Sequence, residues 1–164
     1  MSDKIGSLRV DRGIRRIEVN EEGECIEVSL NDSAFFEKFA AFLKWLEIQQ
    51  NEFETWSQQF QETYRQLVIR QDEEEKLNVP ALEQLAAKKV ELSKGICGRL
   101  DQLFGEGCCS KVFGPVVPDE NSIAEFLEQL TPILQKLVEE RNEKIQLRYD
   151  RNRKGARSLQ GGAH

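Results

Sequence analysis

From Ile14 to Leu30 the apolar residues fall on alternate positions. Ile17 and Val19 mark one run and Ile26, Val28 and Leu30 the next, the pattern of strands with one buried face. Between them "NEEGE" contains Gly23, free to take a positive φ, so the stretch predicts a β-hairpin over about 14–30. A lone hairpin is marginal in water, and its apolar face must rest on other elements. At "NDS" the period changes. Asn31, Asp32 and Ser33 are each competent helix caps, and Glu37 follows in the early turns, where an acid favours the dipole. Phe35, Phe39, Phe42, Leu46, Gln49, Phe53, Trp56, Phe60, Thr63 and Leu67 then step by four and three in turn. This heptad seam, polar only at Gln49 and Thr63, predicts one long amphipathic helix. Continued to about Glu75 it would be on the order of 60 Å long and would project from a domain only ~40 Å across. A break near Gln49–Asn51 with a fold-back is the alternative.

"DEEEKLNVPAL" is the next boundary, because acids sit poorly at a helix C-terminus while Asn78-Val79-Pro80 suits a new start. A second helix from about Pro80 to Phe104 carries Leu82, Leu85, Leu92, Ile96, Leu100 and Leu103, and Gly105 is placed to end it in a left-handed cap. A third follows "PVVPDENS", with Asn121 or Ser122 as cap and Ile123, Phe126, Leu127, Leu130, Leu134, Leu137 and Val138 as its apolar face. Pro132 should kink that helix or restart it from Thr131. Beyond Leu147 the chain is polar and basic, and from about Gly155 it reads as disordered.

Between the second and third helices lies "FGEGCCSKVFG". A phosphate loop needs Lys-Ser/Thr at a helix N-terminus after a strand; here Ser precedes Lys and the stretch follows a helix. The dinucleotide fingerprint also fails, since position 110 is serine. A structural zinc site wants paired Cys/His motifs, but there is no CxxC and the single histidine is His164. With no other histidine, the commonest neutral-pH base is absent as well. What remains is an anchored turn. Phe104, Val112 and Phe113 supply apolar anchors, Gly105, Gly107 and Gly114 let the chain reverse, and "CCSKVF" forms one short helical turn with Cys108, Val112 and Phe113 inward.

The 164 residues suit one domain, and no apolar run approaches the ~18 residues of a membrane span. The polar start "MSDKIGSLRVDRG" lacks the core of a signal peptide, so a cytoplasmic location is expected. Cys25, Cys97, Cys108 and Cys109 then read as reduced thiols acting as small hydrophobes, with a strained vicinal disulfide between Cys108 and Cys109 as the alternative. Net charge is −6, but from Arg148 onward five cations (Arg148, Arg151, Arg153, Lys154, Arg157) face one acid, leaving the rest at −10. An acidic body argues against nucleic-acid binding by the domain as a whole. The tail "RYDRNRKGAR" reads as a solvated cationic helix end, as a peptide docking on an acidic partner, or, with Tyr149 as its one aromatic, as a nucleic-acid contact.

The order of elements, with "LDQLFGEGCCSKVFG" and the terminal "RYDRNRKGAR", resembles small tail assembly chaperones of long flexible-tailed phages and prophages of Gram-positive bacteria. Leu103, Phe104, Gly105, Glu106, Gly107, Lys111, Val112, Phe113 and Gly114 match that family's "LFGEGTSEKVFG"-like loop. Tyr149, Asn152, Arg153, Ala156 and Arg157 match its terminal "KYSPNRAQR"-like motif once a two-residue shift is allowed; Cys108-Cys109 and "RKGAR" depart from it. The resemblance implies a non-enzymatic protein that binds the tape-measure protein, keeps its apolar helices soluble, and leaves as tail-tube subunits polymerise. The expectation is thus a mainly α fold with a small N-terminal β-hairpin, one long amphipathic helix plus two further helices over residues 1–147, and a basic, partly disordered tail over 148–164. No cofactor, metal or catalytic group is expected, nor any membrane contact. Phe53, Trp56, Phe60, Tyr149, Arg151, Arg153, Lys154 and Arg157 are the candidate partner contacts, for a tape-measure or tail-tube protein. The alternative is a bacterial coiled-coil adaptor that oligomerises through the Phe35–Leu67 seam.

Overall fold

The computed structural model describes residues 3–61, 65, 68–71 and 74–161. The fold is mainly α with an N-terminal antiparallel hairpin, as the hydrophobic pattern predicts. Strands β1 (Ile14–Glu18) and β2 (Cys25–Ser29) pair with Ile17 opposite Ile26 and Arg16 opposite Glu27. Asn20 closes the turn: its Oδ1 accepts from the Glu24 amide at 3.0 Å, while the Val19 amide donates to the Glu24 carbonyl at 2.9 Å. Ile26, Val28 and Leu30 are buried. They rest on two helices, the long α2 (Val79–Phe104) and the short α3 (Cys108–Phe113).

Of the three candidate caps, Asp32 starts helix α1 (Ser33–Gln59), its carboxylate accepting from the Ala34 amide at 2.9 Å. Asn31 serves elsewhere, donating to the Asp11 carbonyl and filling the space a Cβ would need at Gly13, whose φ is 67°. Helix α1 does not continue to Glu75. It ends at Gln59 with Phe60 as cap, about 40 Å of helix rather than 60. It is also not broken at Gln49–Asn51. The chain then forms a second antiparallel hairpin, β3 (Val68–Gln71) and β4 (Glu74–Leu77), which the heptad pattern conceals. Val68 and Ile69 are β-branched, a local preference for strand that competes with a helical period. Thr63 and Leu67, the last seam positions, lie outside the described residues.

Helix α2 begins as expected, with Asn78 Oδ1 accepting from the Ala81 amide at 3.2 Å and Pro80 in the first turn. It runs antiparallel to α1. Phe35 and Phe39 meet Phe104 at 5.9 and 6.2 Å, Trp45 lies over Arg99 at 4.0 Å, and Trp56 faces Lys88 at 5.8 Å. The seam of α1 is therefore spent largely inside this helical hairpin and does not project.

The longest helix is the last, α4 (Glu120–Gly161), and not α1. Asp119 caps it, in place of Asn121 or Ser122, its carboxylate accepting from the Ser122 amide at 2.8 Å. The Ser122 hydroxyl and amide together hold the Asp119 carboxyl below its usual range. The helix passes through Pro132 without restarting, while Thr131 Oγ1 donates back to the Leu127 carbonyl at 2.8 Å. It also passes Gly155, where the composition suggests disorder, and extends to Gly161. The chain divides into two compact units, residues 1–123 and 124–164, which meet within the first turn of α4. Among the described residues no helix is long and apolar enough to cross a membrane.

Candidate interaction surface

The glycine-bracketed loop is where the first unit is joined. Gly105 ends α2 with φ 104° and ψ 152°, and Gly114 ends α3 with φ 80° and ψ −166°. Both lie in the region open essentially to glycine alone; Gly105 is thus a positive-φ stop of a different kind from the left-handed cap expected. Gly107 precedes α3 and has no side chain to cap it, so Asp101 reaches over from α2 and accepts from the Cys109 amide at 3.0 Å. Phe104 is buried, and Phe113 and Val112 are half-buried. Lys111 then fastens the short helix to the N-terminal hairpin: its Nζ donates to the Cys25 carbonyl at 3.2 Å and its own carbonyl accepts from Asn20 Nδ2 at 3.1 Å. All five predicted loop residues, Phe104, Gly105, Gly107, Phe113 and Gly114, occupy this joint. Asn20, Asp101 and Lys111 complete it, and only the loop's likeness to a known motif points to Lys111 beforehand.

The thiols sit in the same joint. Cys108 and Cys109 are buried, Cys97 is half-buried, and all three are free. Burial, reinforced by the Asp101 carboxylate and by Cys97, pushes the Cys108 thiol up to about 12. Burial also raises Cys109 and Cys97, which share a thiol–thiol hydrogen bond. These are neutral packing groups at physiological pH, the reverse of an activated nucleophile. Among the described residues no group of three or more His, Cys, Asp and Glu side chains is placed to hold a metal ion.

The predicted partner contacts divide between the two units. In the first, Phe53, Trp56 and Phe60 come together at the C-terminal end of α1. Trp56 stacks on Phe60 at 4.8 Å and lies tilted against Phe53 at 5.8 Å, and all three are half-buried. Two grooves flank them. One, of about 250 Å³, lies between the helices, with Trp45 and Phe53 as apolar walls and Glu52, Lys88 and Glu91 as charged edges. The other, of about 300 Å³, is an open groove along Asn51, Thr55, Trp56 and Gln59. Lys88 has no distinct signal in the sequence, whereas Trp45 widens the apolar face of α1, and Gly95 marks where a side chain of α2 is omitted: a Cβ there would lie 3.4 Å from the Trp45 ring.

In the second unit, Tyr149, Arg151, Arg153 and Lys154 are exposed along α4, and Arg157 lies on the same helix. At 100° per residue Tyr149, Asn152 and Arg153 share one face, whereas Arg151 and Lys154 lie off it.

The geometry defines a helical hairpin clamped to a β-hairpin by a glycine-bracketed joint, with a half-open aromatic end. Residues 22–160 match the model of a family of unknown function (DUF6673), and the chain belongs to that family. No curated protein and no solved structure matches it significantly.

Proposed function

We propose that this protein is a non-enzymatic phage tail assembly chaperone or tail-associated interaction protein, which binds an amphipathic helical segment of a tape-measure or tail-tube protein in the host cytoplasm. The observation that carries the reading is the half-covered aromatic triad Phe53–Trp56–Phe60, with a groove on either side, one of them walled by Trp45 and Phe53 and edged by Glu52, Lys88 and Glu91. An apolar helix face laid into such a groove would bury rings that are now partly wet, while the charged rim fixes its register. The loop that carries the resemblance fits the reading differently. It is consumed in holding the fold, and leaves the triad to do the binding.

The test is titration of the purified chain with helical segments of the tape-measure protein encoded in the same gene cluster. Trp56→Glu and Phe60→Glu should each lower affinity at least tenfold, about 1.4 kcal/mol, with helix content retained by circular dichroism. Binding unaffected by both substitutions, or no binding by the unmodified chain, would overturn the proposal.

A further inference from the structure

Helix α4 is polarised in charge. From Glu120 to Glu143 it carries six acids and two bases, and from Lys144 to Gly161 six bases and one acid. Across the crossover runs a second seam, on a different stripe from the buried Leu130 and Leu134: Ile133, Leu137, Glu140, Lys144, Leu147 and Arg151. These positions step by four and three in turn, so they occupy one face of the helix. Leu137 is half-buried and the other five are exposed, Leu147 to 66% and Ile133 to 39%. The order of residue types is the informative feature. Read outward from Asn142, the series on one side is acid, leucine, isoleucine, and on the other base, leucine, arginine, at matching distances.

We infer that this face pairs with the same face of a second copy of the chain, antiparallel, about a two-fold axis at Asn142. Each chain's Glu140 then meets the other's Lys144, Leu137 meets Leu147, and Ile133 packs on the aliphatic stem of Arg151. On one flank Lys136 faces Asp150. Charge chooses the orientation. A parallel, in-register pair would set Glu140, Lys144 and Arg151 each against its own counterpart, whereas the antiparallel pair sets Glu140 against Lys144 and parts the two Arg151 side chains. The like-charge contacts left in the antiparallel pair are those on the axis, where Arg141 on one edge and Glu143 on the other approach their own copies. The paired stretch spans about 28 Å of helix. Contact of that length, with one leucine pair on either side of the central charge pairs, suits a dimer of micromolar rather than nanomolar affinity. The interface is isologous, so it closes at two copies. It does not depend on the aromatic surface of α1.

Sedimentation velocity of the full chain over about 1–300 µM tests this across the expected affinity range. The unmodified chain should shift from monomer to dimer with concentration. Glu140→Lys and Lys144→Glu, both at exposed positions, should each weaken the homodimer at least tenfold. Mixing the two variants should restore a dimer, and so should the double swap, because both arrangements rebuild two opposite-charge pairs. Weakening by each single swap is what marks the antiparallel register, because in a parallel, in-register pair like charge faces like charge at both positions before and after either swap. An unmodified chain that stays monomeric over the whole range would overturn the inference and leave the face to a different protein. A dimer indifferent to both single swaps would overturn it equally.

Discussion

The two halves of α1 carry the same heptad seam and meet different fates. In the first half Phe35, Phe42 and Leu46 are buried, with Phe104 closing edge-on against Phe35 and Phe39. In the second, Phe53, Trp56 and Phe60 meet one another and are only half-buried, beside the grooves. Periodicity sets which side of a helix is apolar. It does not set what covers that side, which depends on where the next elements arrive. The β-hairpin and α3 are joined where α2 ends, beside the start of α1, whereas at its far end α2 contributes Lys88, over Trp56.

Truncating the same residue type in each half tests this contrast most directly. Phe42→Ala should cost about 3–5 kcal/mol, because it opens a cavity in a closed core. Denaturant titration would show the loss, and a cost below about 1.5 kcal/mol would mean the first half is as open as the second. Gly105→Ala acts on the joint without touching a neighbour, since no atom lies within 4 Å of an added Cβ. Its cost is conformational, about 1–3 kcal/mol, and a neutral result would show that α2 ends elsewhere. Phe53→Ala removes a half-buried ring and should cost about 1 kcal/mol in the same assay. If it proves as costly as Phe42→Ala, the open end of α1 is core and the proposed docking surface is lost.

The smallest effect at neutral pH belongs to the thiols. Their folded-state ionisation is raised above the ordinary 9.0 of a free thiol, to about 12 for Cys108. The folded protein therefore holds protons that the unfolded chain releases. Their contribution to stability is intact below about pH 9 and declines as pH rises towards about 12. Denaturation midpoints should be level from neutral pH to about pH 8.5 and fall above it, and Cys108 and Cys109 should resist alkylation until the chain unfolds. Rapid alkylation of either in the native protein would show that the joint opens.

Local chemistry was legible in the sequence wherever a few adjacent residues decide it. The N-terminal hairpin follows from its alternation and Gly23, the start of α2 from Asn78 and Pro80, and its end from Gly105. The short helix of "CCSKVF" follows from the glycines around it. Where neighbouring signals compete, the sequence was ambiguous. A helical period and β-branched Val68-Ile69 overlap after Phe60, and the chain resolves them as a cap and a second hairpin. Gly155 and Pro132 advertise breaks that α4 does not make, since its remaining residues favour helix strongly enough to carry it past both.

What only the tertiary structure decided are the contacts between distant segments. Lys111 bonding to the Cys25 carbonyl, Asp101 capping a helix that Gly107 cannot, and Trp45 seated over Gly95 and Arg99 each join residues whose separation along the chain has no period. A seam announces that it must be covered, because exposed apolar surface is costly in water. Which segment covers it depends on the path of the whole chain, and that path exists only once the pieces have met.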